Sequence, residues 1–92
     1  MTTYQRIITT IDARWRGGAP FATWELRDAC NVSASTARRM IYMLHELRLV
    51  VKGKKGYAAR QWRVAPRWRD VTVRDVIENV EMAKIMGLKT SG

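Results

Sequence analysis

The residues of this chain that are best suited to chemistry are basic, and they are concentrated in one stretch. Between Arg38 and Arg69 the sequence has ten Lys or Arg residues and a single acidic residue, Glu46, so the stretch carries a formal charge of +9, equal to that of the whole chain. Clustered positive charge attracts phosphate backbones whatever their sequence, so this balance predicts a polyanionic partner. An anionic membrane surface is the main alternative that charge alone allows.

Residues for catalysis or metal binding are scarce by comparison. Cys30 is the only cysteine and His45 the only histidine, so no internal disulfide and no four-ligand zinc site is expected. The sequence pairs no nucleophile with a base and contains no glycine-rich phosphate loop. Asp12, Glu25 and Asp28 are interpreted as charges for solubility and helix ends. We therefore expect a binding protein and not an enzyme, with no cofactor, no metal and no small-molecule ligand.

Length and composition suit one small domain. The chain has 92 residues with 47% apolar content, enough for one modest core. No run approaches the roughly 18 consecutive apolar residues that a membrane-spanning helix needs, and the first residues lack a basic and then hydrophobic signal segment. We expect a cytoplasmic, nucleoid-associated protein of prokaryotic or phage type.

Periodicity and capping residues predict the elements before the basic stretch. Apolar residues at steps of three and four predict a first helix over residues 3–15. After a short extended segment at 21–22, Thr23 is expected to cap a second helix over residues 24–30. Asn31 follows at a tight corner, and asparagine tolerates the left-handed conformation that such a corner needs.

A third helix is predicted over residues 34–47, with Ser33 as its N-cap. Its predicted buried face consists of Ala37, Met40, Ile41, Leu44 and Leu47. Its predicted free face consists of Ser35, Arg38, Arg39, Tyr42 and Glu46. Because Glu46 would repel a polyanion, we expect the binding surface to end near Tyr42.

A β-hairpin is predicted next. Its strands are residues 49–51 and the alternating run 57–64, and the segment 52–56, rich in Lys and Gly, is predicted to form an exposed, mobile tip. Pro66 is expected to end the second strand.

The tryptophans have two possible roles. Trp15, Trp24 and Trp62 are expected in the core, the alternative being a stacking platform for single-stranded bases. Trp68, between two arginines, either seals the joint between the hairpin and the last helix or stacks on a nucleotide.

A last helix is predicted over residues 73–86, with Thr72 and Asp75 as a capping box and Gly87 as its end. Residues 89–92 are expected to be a disordered tail.

The order helix, strand, helix, turn, helix and two-stranded wing resembles the winged helix-turn-helix superfamily. The matching residues are Phe21-Ala22-Thr23-Trp24-Glu25-Leu26, then Val32-Ser33-Ala34-Ser35-Thr36-Ala37-Arg38-Arg39, then Leu44, Leu47, Leu49 and Val50. Asn31 and Arg48 stand where glycine is common in the family. The resemblance implies a mainly α, α+β fold with a three-helix core and a hairpin wing over residues 1–69, followed by an additional C-terminal helix over 70–88.

The resemblance implies sequence-specific binding of double-stranded DNA by a small transcriptional regulator, with the third helix in the major groove and the wing on backbone or minor groove. By position, it implies base contacts from Ser35, Arg38, Arg39 and Tyr42. It implies backbone contacts from Ser33, Thr36, Lys52, Lys54, Lys55 and Arg60. The alternatives are an architectural factor in phage or plasmid recombination, replication or packaging, a protein-interaction module with an acidic partner, and RNA binding through the same residues.

The last helix could fold back on the first helix or pair with its counterpart in a second copy. We favour a homodimer, because two half-sites bring affinity toward the usual specific range. The predicted dimer contacts are Val76, Ile77, Val80, Met82, Ile85 and Met86.

Overall fold

The protein has a mainly helical α+β fold with a small three-stranded antiparallel sheet. The computed structural model describes residues 1–55 and 60–85, apart from the side chains of Lys54 and Lys55. The elements in chain order are α1 (Thr3–Trp15), β1 (Phe21–Ala22), α2 (Thr23–Cys30), α3 (Ala34–Glu46), β2 (Val50–Lys55), β3 (Arg60–Val64), α4 (Pro66–Arg69) and α5 (Val73–Ile85). In the described ranges, no helix has the length and apolar character needed to cross a membrane.

One hydrophobic core joins the helices to the sheet. Its fully buried side chains include Ile7, Ile8, Ile11, Phe21, Leu26, Ile41, Leu44, Trp68, Val76 and Val80. The predicted buried face of α3 is confirmed, except that Leu47 is only half-buried because it lies just beyond the last turn of the helix. Burying each large aliphatic side chain stabilises the fold by about 1.5–3 kcal/mol before entropy is counted.

The helix starts are set by local side-chain caps. Ser33 is the N-cap of α3, as predicted, and its Oγ accepts a hydrogen bond from the N–H of Thr36 at 3.1 Å. The prediction that Thr23 caps α2 is wrong: α2 begins at Thr23, and its N-cap is Ala22. The reason is that Glu25 Oε1 accepts from the N–H of Ala22 at 2.9 Å, which gives this carboxylate a specific capping role.

Both α2 and α3 end in a left-handed residue that is not glycine. Asn31 has a φ of 54°, as the corner prediction requires, and Arg48 has a φ of 60°. After α3, the N–H of Leu49 donates to the carbonyl of Leu44 at 2.8 Å, and that of Arg48 donates to the carbonyl of His45 at 3.0 Å. This is the Schellman arrangement, in which glycine is favoured because it lacks a Cβ. It turns the chain sharply from α3 into β2.

The first strand of the hairpin, β2, is longer than the sequence predicts. β2 runs to Lys55 and pairs with β3, with Lys52 opposite Trp62, Lys55 opposite Arg60 and an irregular register between them. The prediction of a tip over 52–56 is therefore wrong for residues 52–55, because cross-strand pairing overrides the turn character of the Lys-Gly segment. The remainder of that tip lies outside the described residues, as does the predicted mobility of the connection.

β1 completes the sheet beside β3, which makes the strand order β1-β3-β2. Phe21 pairs with Trp62, and Ala22 pairs with Gln61. Gly53 suits the close pairing on the other side of β3, because a Cβ at this position would lie 3.1 Å from the carbonyl oxygen of Gln61, a tight contact.

Trp68 joins the hairpin region to α1. It lies in α4, a short helix that the sequence did not predict and that begins at Pro66. The Trp68 side chain is fully buried, and its Nε1 donates to Asp12 Oδ1 at 2.9 Å, so it seals the joint. Arg16 Nη1 donates to the same carboxylate oxygen at 2.8 Å, and its Nη2 donates to the carbonyls of Arg69, the last residue of α4, and Val71. The interpretation of Asp12 as a solubility charge is therefore wrong.

α5 begins at the predicted capping box, in which Thr72 and Asp75 exchange two hydrogen bonds of 3.2 Å. Its buried residues, Val76, Val80 and Ala83, join the core, and the helix packs against α1. Because Val76 and Val80 are fully buried within the protomer, they hold α5 to its own chain, and this placement corrects their assignment as dimer contacts.

Candidate functional site

The free side of α3 presents its polar residues together. Ser35, Arg38, Arg39 and Tyr42 are all exposed, and the Tyr42 side chain is 44% exposed. The core-facing residues of α3 are buried on the opposite side, so the predicted division of the helix into two faces is confirmed. Glu46 is also exposed, one turn beyond Tyr42, at the end of the helix.

Arg38 and Arg39 are left without carboxylate partners in the described part of the chain. The salt bridges found there belong to Arg16, Arg27 and Arg74. Arginine carries five N–H donors in a planar fork that matches carboxylate and phosphate oxygens. The donors of Arg38 and Arg39 are consequently available to a ligand.

An aromatic cluster connects α3 to the hairpin. The rings of Tyr42 and Trp62 meet edge to face with centroids 5.7 Å apart, and the His45 ring lies 5.6 Å from Trp62 in a similar orientation. Trp62 is 2% exposed, so it acts as a fixed platform for the other two rings. The contact fixes the angle between the exposed side of α3 and the hairpin. The sequence did not predict this contact of His45 with Trp62.

Two hairpin cations lie on the sheet face that carries Trp62. Lys52 is its cross-strand partner, and Arg60 precedes it by two residues on β3, so both side chains leave the sheet on the same side as Trp62. Lys52 is exposed and Arg60 is half-buried. We call the surface formed by Ser35, Arg38, Arg39, Tyr42, Lys52 and Arg60 the α3–hairpin face.

The other predicted site residues differ in their surroundings and in how far the structure describes them. Ser33 and Thr36 already bond to each other at the start of α3, where the Ser33 hydroxyl donates to Thr36 Oγ1 at 2.9 Å. Their role as backbone contacts stays a prediction. The side chains of Lys54 and Lys55 lie outside the described structure, so their predicted contacts also stay predictions.

Trp24 is the one tryptophan whose predicted burial is wrong. It is 53% exposed, whereas Trp15 is 8% exposed and stacks on Phe21 with ring centroids 4.5 Å apart. Trp24 precedes the buried Leu26 by two positions in α2. Two helical positions correspond to about 200° of rotation, which directs Trp24 toward solvent.

Comparison with models of known protein families and with curated proteins finds no match for this chain. Within the described ranges, no three His, Cys, Asp or Glu side chains cluster closely enough to hold a metal ion. The α3–hairpin face, with its exposed arginines and hairpin cations, is the strongest candidate site in the described structure.

Proposed function

We propose that the protein is a small winged helix-turn-helix transcriptional regulator that binds double-stranded DNA in a sequence-specific manner. In this proposal α3 enters the major groove, and the β2–β3 hairpin contacts backbone or minor groove. The observation that carries it is the α3–hairpin face: Arg38 and Arg39 have no salt bridge in the described part of the chain, and Tyr42 on the same helix contacts Trp62, the cross-strand partner of Lys52.

The dimensions of α3 suit this role. A B-DNA major groove is about 12 Å wide and accepts one α-helix with its side chains. The proposed base contacts fall within the first nine residues of α3, from Ala34 to Tyr42, so they occupy about two and a half turns. Arg38 or Arg39 could bind guanine O6 and N7 through both arms of its guanidinium group. Glu46 limits the contact, because its carboxylate would repel the phosphates.

A salt titration with duplex DNA tests the proposal. Each phosphate that the protein neutralises releases counterions, so log K should fall with log salt by about 0.9 per contact. A footprint of about five to eight phosphates predicts a slope of about −4 to −7. A salt-independent affinity would contradict DNA binding through this face.

We also propose that the protein forms a homodimer through the outward side of α5. Met82 is 57% exposed and Ile85 is 81% exposed, although both belong to a helix whose other side is in the core. One small module makes few base contacts, and a dimer would read two half-sites about one helical turn apart. The predicted contact from Met86 lies outside the described residues, and Ile77 is half-buried.

Sedimentation at increasing concentration tests the dimer. Met82→Ser combined with Ile85→Ser should convert the protein to a monomer. Trp24→Ser is a matched control, because Trp24 is nearly as exposed as Met82 but lies on α2. A dimer that survives the α5 substitutions and is lost in the control would place the interface on α2 instead.

A further inference from the structure

A cavity of about 240 Å³ lies between the first turns of α1 and the middle of α3. Ile7 and Met40 lie behind its inner wall and are almost inaccessible, at 0% and 2% exposed. The accessible lining includes half-buried Tyr4, Thr36 and Met43, and Arg39 stands at the exposed rim. The cavity thus combines partly exposed aromatic and thioether groups with one cationic side chain at the opening.

The volume is sufficient for a small organic molecule. An apolar protein cavity of about 150 Å³ can hold benzene, so the space here accommodates an aromatic ring with a short substituent. Met43 suits such a role, because a methionine side chain adapts to a ligand's shape and contacts aromatic rings favourably.

The charges around the cavity favour an anion. None of its lining residues is acidic. Arg39 forms no salt bridge in the described part of the chain, and Lys84 Nζ lies 3.8 Å from the ring centroid of Tyr4. A carboxylate at the opening would be met by a guanidinium group whose geometry allows two parallel hydrogen bonds.

We propose that this cavity binds a small aromatic carboxylate, with the ring against Tyr4 and Met43 and the carboxylate on Arg39. An inorganic anion or a DNA phosphate would contact Arg39 but leave the space beside Tyr4 and Met43 empty. If the proposed DNA binding holds, the carboxylate and a base or phosphate compete for the same guanidinium group, so the ligand lowers DNA affinity. That regulatory consequence rests on the proposed function, whereas ligand binding does not.

Calorimetry on the full chain without DNA tests the site, with phenylacetate as the probe. Phenylacetamide has nearly the same shape without the charge, and acetate has the charge without the ring. We expect saturable phenylacetate binding with a Kd of about 1 mM or tighter, about tenfold weaker binding of phenylacetamide, and no saturation by acetate. Equal affinity for phenylacetate and phenylacetamide, or no saturation by either, would overturn the proposal.

Two neighbouring arginines provide a matched pair of variants. Arg39→Gln should reduce the affinity for phenylacetate to that for phenylacetamide. Arg38→Gln should leave phenylacetate binding unchanged, because Arg38 is also exposed but does not line the cavity. Equal losses in the two variants would show a diffuse charge effect and overturn the proposed site.

DNA titrations separate this site from the proposed function. If the wild-type chain binds phenylacetate but not duplex DNA, the DNA proposal fails and the cavity site stands. If it binds DNA but not phenylacetate, the cavity proposal fails and the DNA proposal stands. If both bind, saturating phenylacetate should weaken DNA binding, and DNA should weaken phenylacetate binding by the same factor.

Discussion

Arginines on the two sides of this molecule have opposite surroundings. On the side of α1 and α4, Arg16 donates to Asp12 at 2.8 Å and to two backbone carbonyls at 3.0 and 3.1 Å. On the α3–hairpin face, Arg38 and Arg39 are exposed and have no salt bridge in the described part of the chain. Where arginine holds elements together, the fold provides acceptors for it. The arginines of α3 contribute little to the fold, so their donors remain available to a partner.

The same contrast applies to tryptophan. Trp68 is fully buried and hydrogen-bonded to Asp12, whereas Trp24 is 53% exposed on α2. We therefore expect changes around α1 and α4 to lower stability, and changes on the α3–hairpin face to alter binding.

Trp68→Ala should have the largest effect on folding. Removing this buried side chain leaves a cavity and takes a donor from Asp12, so the free energy of unfolding should fall by about 3–5 kcal/mol. Urea denaturation followed by circular dichroism measures the change. Trp24→Ala is the control and should change stability by only about 0.5 kcal/mol. Similar losses in the two variants would contradict the packing described for Trp68.

Arg38→Ala and Arg39→Ala should weaken binding to the preferred DNA sequence by about 1–3 kcal/mol each and reduce base preference. Their unfolding free energies should stay within about 0.5 kcal/mol of wild type, since neither side chain supports the fold. Competition with preferred and random duplexes measures both effects. Arg74→Ala, on α5, is the control and should leave base preference unchanged. Equal losses on both duplexes would show that α3 reads no bases.

Arg48→Gly should stabilise the protein by about 0.5–1 kcal/mol. A left-handed residue with a Cβ costs roughly 1–2 kcal/mol, and the greater freedom of glycine in the unfolded chain offsets part of the gain. Urea midpoints measure this, and Arg48→Ala is the control, because it removes the charge but keeps the Cβ. An equal gain in both variants would point to charge repulsion instead of backbone conformation.

These cases show how far the sequence predicts the structure. The bounds of α1, the Ser33 cap, the Asn31 corner and the capping box before α5 follow from side chains within a few residues of each other, and the structure confirms them. The outward side of α3 was predictable for the same reason, because helical periodicity alone decides which of its residues face the core.

Features that depend on contacts between residues far apart in the sequence were not predictable. Trp68 and Asp12 are 56 positions apart, so no local pattern links them or indicates α4. The extension of β2 to Lys55 is decided by pairing with β3. The cavity at Arg39 arises only because α1 packs against α3, and the sequence led us to expect no small-molecule ligand.

Lys52→Ala should have the smallest effect on DNA affinity, and it should distinguish the role of the hairpin in DNA binding from that of α3. Lys52 carries an exposed charge that a phosphate could contact, so its loss should weaken all DNA sequences alike and reduce the salt slope by about 0.9. Salt titrations of preferred and random duplexes measure this. Arg74→Ala is the control, because it removes one positive charge from α5, where Arg74 pairs with Glu78 at 3.6 Å, and it should leave the slope unchanged. If Lys52→Ala reduced affinity for the preferred sequence alone, the hairpin would take part in reading bases, and the division of roles between α3 and the hairpin would be wrong.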